Sequence, residues 1–195
     1  MTLIVAGDPE FKASVTEALT LICPARVFRL DEPGTVGAAH AVGFCSFYCA
    51  HTAGCNLIKD IRQANVTYRI EVSLGNSQTN PNLDIVFWNP DGTLSGIDDE
   101  GGKLTLPGVI LAHELVHAFI DISNLPRSEA FAVRGENQVR KDLGLPLRLT
   151  HSNTPIQDHD KPVLDRKDSE RCRCDSRPRP VSRVLRAFLR RVRFS

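Results

Sequence analysis

The chain has 195 residues, 42% of them apolar, which suffices for one core of ordinary size, and no apolar run reaches the ~20 residues of a membrane-crossing helix. Its formal net charge of +1 conceals two unlike parts: residues 161–195 carry 12 Lys and Arg against 4 acids (+8), and residues 1–160 carry 12 against 19 (−7). No membrane-crossing helix is expected, and an acidic body with a basic extension is.

The start, MTLIVAGDPEF, lacks the basic region and long apolar stretch of a cleavable signal, so a soluble protein is expected and any export would use another route. TLIVAGD predicts a short strand ending in a turn, and FKASVTEALTLI (11–22) a helix, with apolar residues at Val15, Ala18, Leu19 and Ile22. Residues 31–55 are rich in Gly, Ala and Cys and give no clean period. NLIKDIRQA then predicts a short helix, VTYRIEVSL an alternating strand, and LDIVFWNPDGT a strand closed by an Asn-Pro-Asp-Gly turn. Next, Thr105 is a candidate cap and Pro107 suits a first helical turn, opening the helix VILAHELVHAFIDIS. That helix is apolar nearly all round, which predicts an interior position. SEAFAVRGENQVRKDLG predicts a second helix ending near Gly144, followed by extended chain over LPLRLTH.

The segment LAHELVHAF sets two histidines and a glutamate in an otherwise apolar run, where a polar group without a partner costs roughly 1–3 kcal/mol. Residues four apart lie one above the other on a helix, so His113 and His117 point the same way and can share one metal ion. Glu114 is rotated by about 100 degrees from His113, beside such an ion rather than on it, where it can take a proton from water. This is the H-E-x-x-H arrangement of zinc hydrolases, with Glu114 as general base. A catalytic zinc needs a third protein ligand. Glu129 and Glu136, seven apart on one face of the next helix, both qualify, with His151 and His159 as further options. Spacing alone does not choose between the two glutamates.

Over residues 5–151 the sequence resembles the NleD-type zinc metallopeptidases, bacterial effector proteases that act inside host cells. The resemblance is carried by AGDPEFKASVTEAL, GCNLIKDI, IVFWNPDG, LAHELVHAF and ENQVRKDLGLPLR. The family is in turn similar to the clostridial neurotoxin light chains, in which an E-E-x-x-T-x-G segment follows the zinc helix. SEAFAVRG, residues 128–135, stands in its place, which implies Glu129 as the metal ligand and Glu136 as a residue orienting a histidine or an arginine. The family pattern L-P-L-R-x-x-Y reads LPLRLTH here, which implies an oxyanion-stabilising role for Arg148, joined by His151, which stands where the tyrosine would be and can still donate a hydrogen bond to the oxyanion. That departure also leaves room for His151 as an extra metal ligand.

Six cysteines (23, 45, 49, 55, 172 and 174) do not make a dense framework in a chain of this length, so free thiols in a reducing compartment are expected. The cluster Cys45, Cys49, His51 and Cys55 lacks the spacing of a common zinc motif and reads as buried thiols. Residues 153–180 read as a linker. The tail 181–195, with apolar residues at 181, 184, 185, 188 and 192 opposite arginines, reads as disordered, or as a binder of anionic membrane or an acidic partner. It has no aromatic interleaving to favour nucleic acid. The expectation is an α+β zincin-like domain over residues 1–152, a monomer, holding Zn²⁺ on His113, His117 and Glu129 and acting as an endopeptidase. The resemblance implies an effector, delivered into a host cell's cytoplasm, that cuts a signalling protein. The rivals are a zinc hydrolase of a non-peptide amide and an inactive zinc-containing binding module.

Overall fold

In a computed structural model, which describes residues 3–24, 26–31, 34–36, 40–41, 52–92 and 106–164, the apolar run Leu3–Ala6 forms strand β1, with Leu3 and Val5 fully buried. Asp8 then caps helix α1, Pro9–Ile22: its carboxylate accepts from the Phe11 amide at 2.7 Å, and Pro9 fills a first-turn position where no N–H is needed. Four two-residue strands follow, β2 (Arg26–Val27), β3 (Leu30–Asp31), β4 (Thr35–Val36) and β5 (His40–Ala41). Helix α2, Ala53–Gln63, is capped by Thr52 and starts three residues ahead of the expected stretch. Strands β6 (Tyr68–Val72), β7 (Gln78–Asn80) and β8 (Ile85–Trp88) lead to helices α3 (Pro107–Ile122) and α4 (Glu129–Leu143) and a small hairpin of β9 (Thr150–His151) and β10 (Thr154–Pro155). The protein is thus a mixed α+β fold with four helices among the described residues.

The six-stranded sheet has the order β3-β4-β1-β6-β8-β7. Its centre is parallel, with Val5 opposite Ile70 and Ile70 opposite Val86, and both flanks turn antiparallel. Strand β7 was not expected from the sequence. Gln-Thr-Asn has no apolar alternation to betray it, and the short connection to β8 sets its register, Thr79 opposite Val86. It closes one edge of the sheet.

Helix α3 packs against α1, α2, α4 and the β7–β8 edge, which accounts for its apolar circumference. Trp88 Nε1 donates to the Pro107 carbonyl at 3.2 Å, tying β8 to the start of this helix. The capping position falls to Leu106, whose side chain makes no cap bond; Thr105 lies outside the described residues. Gly135 lets α4 approach closely, since a Cβ there would meet Val116 Cγ1 at 2.6 Å. Ser128 caps α4, and Gly144 ends it in the left-handed conformation at φ 67°.

Cys23 at the end of α1 is joined to Cys55 in the first turn of α2. This corrects the expectation of free thiols for these two cysteines, and removes the ground for assigning a reducing compartment. The pairing spans 32 residues and depends on α1 meeting α2 in space, which cysteine spacing does not report. Cys45, Cys49 and His51, and the tail from residue 165 on, lie outside the described residues. Part of the expected linker, residues 153–164, lies against α4: Gln138 Oε1 accepts from the Val163 and Leu164 amides, and Leu164 is buried. No helix among the described residues is long and apolar enough to cross a membrane.

Candidate metal centre

The i, i+4 spacing on α3 brings the imidazoles of His113 and His117 together, with their Nε2 atoms 3.2 Å apart. Glu129, the first residue of α4, reaches them from the facing helix, its Oε2 3.4 Å from each Nε2. These three side chains form a group that can hold a metal ion, their ligand atoms all within 4.8 Å of one another. The two imidazoles hold the Glu129 carboxyl far below the usual carboxylate range, so it faces them as an anion. Donor type fits a divalent ion of borderline softness, two imidazole nitrogens and one carboxylate oxygen.

Behind His113 lies a buried charge network. Its Nδ1 is 3.0 Å from Glu136 Oε2, a carboxylate with no solvent exposure. Arg140 Nε donates to Glu136 Oε1 at 2.6 Å, and Arg148 Nη1 donates to Oε2 at 2.9 Å. Burial works to raise the Glu136 carboxyl, but His113 and the two guanidinium groups prevail and bring it down to about 2. An ionised carboxylate only accepts, so Nδ1 of His113 carries a proton and Nε2 faces Glu129. Burial likewise opposes charge on His113, yet Glu129, Glu136 and Glu114 together push it up to about 9.

A cleft of about 450 Å³ opens beside the group, lined by His113, Glu114, His117 and Glu129 from the helices and by Ser77, Gln78 and Thr79 from the sheet edge. Glu114 forms part of its wall, and Thr79 Oγ1 sits 2.8 Å from the Glu114 carbonyl and 2.9 Å from its Oε2. His151 also lines the cleft, its Nε2 3.3 Å from Glu129 Oε2 and its ring stacked near that of His113. Burial is the first cause that lowers the His151 pKa, which favours the neutral ring. Arg148 lies elsewhere: it is fully buried, bonded to Glu136 and to the Thr150 carbonyl, and does not line the cleft. His159, another candidate ligand, is outside the group, and its carbonyl accepts from Asn137.

Three residues of this region went unnoticed in the sequence. Thr79 gave no signal, being a polar residue in an unrecognised edge strand. Arg140 sits one turn after Glu136, a spacing at which an ion pair is ordinary. Asp121 follows His117 by four residues and so shares its face, a signal the periodicity does contain.

The fold and site define an α+β protein with a buried-edge His-His-Glu group able to take a metal ion. No protein-family model, no curated protein and no solved structure matches the chain.

Proposed function

We propose that this chain is a zinc-dependent endopeptidase with a zincin-like fold. The observation that carries the reading is the convergence of His113 and His117 Nε2 with Glu129 Oε2, beside a glutamate that lines the same cleft. A zinc ion held by these three would polarise the scissile carbonyl and bring the pKa of a water toward ~7.

Glu114 supplies the proton transfers. As the water oxygen bonds to the carbonyl carbon, the Glu114 carboxylate takes a proton from it, then gives that proton to the amine nitrogen as the C–N bond breaks. Thr79 restrains Oε2 of that carboxylate and so limits the positions it adopts. His151, on the cleft wall, is the neutral donor for the carbonyl oxygen as it gains charge. Arg148 acts as a positioning residue: it holds Glu136, which holds His113.

A peptide substrate is favoured over a small amide because β7 is a sheet edge among the described residues and lies beside the cleft, and an extended chain can pair with such an edge. A binding module with a structural ion is disfavoured by Glu114, since a structural site closes with four protein ligands and needs no base. The resemblance to NleD-type peptidases extends the reading to an effector that cuts a signalling protein in a host cell.

The test joins metal analysis to a search for new peptide termini in exposed cells. Purified protein should hold about one zinc per chain. Glu114→Gln should keep that zinc and lose about 10²- to 10⁴-fold in cleavage. Undiminished cleavage by Glu114→Gln would refute the mechanism, and a metal content that survives both His113→Ala and His117→Ala would refute the site.

A further inference from the structure

The cleft continues past His117 to a cluster that the reaction does not use. Asp121 stands one turn beyond His117 on α3, Arg127 stands just ahead of α4, and both line the cleft with Ser128. Tyr68, fully buried on β6, donates its hydroxyl to Asp121 Oδ2 at 2.9 Å, while Arg127 Nη2 pairs with Oδ1. An exposed ion pair by itself counts for little. Here the acid is fixed from behind by a buried phenol, so Asp121 is an anchor rather than a chance partner.

The two members of the pair differ in what they can still do. Asp121 has both oxygens engaged and a side chain only 21% exposed, whereas the Arg127 side chain is 64% exposed and held through one nitrogen. A guanidinium carries five N–H donors in a rigid fork that suits a carboxylate. Arg127 is also the sole Lys or Arg among the described residues lining the cleft. Each acid there is already engaged: Glu129 by the imidazoles, Glu114 by Thr79, Asp121 by Tyr68 and Arg127. Arg127 is therefore the cation on the cleft wall that can meet an incoming anion, while Asp121 beside it already has both oxygens engaged.

We propose that Arg127, anchored by Asp121 and Tyr68, is a specificity-determining residue that selects peptides bearing a carboxylate close to the cleaved bond. This rests on the endopeptidase reading of the neighbouring metal group. The anchor lowers the entropy lost when the fork closes on a second carboxylate. The same chemistry could be offered by an Asp or Glu side chain or by the substrate's own C-terminus, and the two sources call for different enzymes.

The test uses the zinc-loaded full chain and short peptides that differ only in carrying Glu, Gln or Lys at one scanned position, each with a free or an amidated C-terminus. Cleavage is measured with the parent, and affinity with Glu114→Gln, so that recognition is read without turnover. Glu peptides should be preferred to Gln peptides by about tenfold, toward the lower end for a charge-assisted hydrogen bond because the guanidinium is exposed. Arg127→Gln should level that preference and Arg127→Glu should turn it toward Lys, with zinc content and unfolding temperature checking that both variants are folded. Persistence of the preference with amidated peptides assigns it to a side chain; its confinement to free termini assigns it to a terminal carboxylate. Cleavage without charge preference, or a preference that survives Arg127→Gln, overturns the proposal and leaves the endopeptidase intact. Selective binding that depends on Arg127 without any cleavage refutes the endopeptidase and with it selection at a cleaved bond, leaving Arg127 as a carboxylate-binding residue only. If no peptide binds, both fall.

Discussion

Glu129 and Glu136 stand seven residues apart on α4 and face the same helix, yet removing their charges should have opposite consequences. Glu136 is fully buried and shared by His113, Arg140 and Arg148 at 3.0, 2.6 and 2.9 Å. Glu136→Gln keeps the shape and leaves two buried guanidinium groups beside a neutral amide. Removing one partner of a buried ion pair costs about 3–5 kcal/mol; the amide oxygen still accepts one hydrogen bond, which sets the expectation at about 3 kcal/mol. For a chain of this size that corresponds to a fall in Tm of about 6–12 °C. Zinc affinity should drop about 10- to 100-fold, because His113 loses the acceptor that orients it. Glu129 has a half-exposed side chain, and its ionic partners among the described residues are the imidazoles of His113, His117 and His151. Glu129→Gln should therefore weaken zinc binding by more than Glu136→Gln, while the chelator-treated protein changes in stability by about 1 kcal/mol or less.

Urea unfolding in excess chelator measures the stability effects, and competition with a chelator of known affinity ranks the metal effects. A pH series adds an independent check. The Glu136 carboxyl is depressed from 4.5 to about 2, so its contribution is present above pH 4.5 and is lost as pH falls toward 2. The parent should lose stability over that window more steeply than Glu136→Gln. If chelator-treated Glu136→Gln is as stable as the parent, or if Glu129→Gln holds zinc more tightly than Glu136→Gln, the division into ligand and support is wrong.

His113 predicts the opposite pH behaviour: its pKa is raised from 6.5 to about 9, so in the chelated protein its contribution is complete below pH 6.5 and disappears as pH rises through 9. Zinc must displace that proton, so apparent affinity should rise about tenfold per pH unit between these values, and calorimetry in buffers of different ionisation enthalpy should count about one proton released. Thr79→Val should keep zinc and lower kcat/KM about tenfold through the freed Glu114 carboxylate, a result that steady-state kinetics on a cleaved peptide will check. Cys23→Ser, by opening the link that closes a separation of 32 residues, should cost about 3–4 kcal/mol in denaturant unfolding, whereas an unchanged midpoint would show that the pairing does not constrain the unfolded chain.

What the sequence makes legible at this site is local. Pro107 and Gly144 mark helix ends because breakers act within a few residues, and His113 and His117 can share a ligand because i and i+4 share a face. The same rule treats Glu129 and Glu136 alike, since seven residues make two turns. Depth separates them: α4 meets α3 closely at Gly135, so Glu136 is driven into the core behind His113 while Glu129, at the helix start, stays at the mouth of the cleft. Depth is a property of how two helices cross, and no single helix carries it. Arg148 shows the same limit from the other side, for a basic residue in extended chain reads as available to a substrate until its two buried neighbours on α4 are seen to claim it. Thr79 and the disulfide depend on partners 35 and 32 residues away. Periodicity therefore identifies which face of a helix carries the chemistry, and the neighbouring elements decide whether each charge on that face meets the metal, the substrate or another charge.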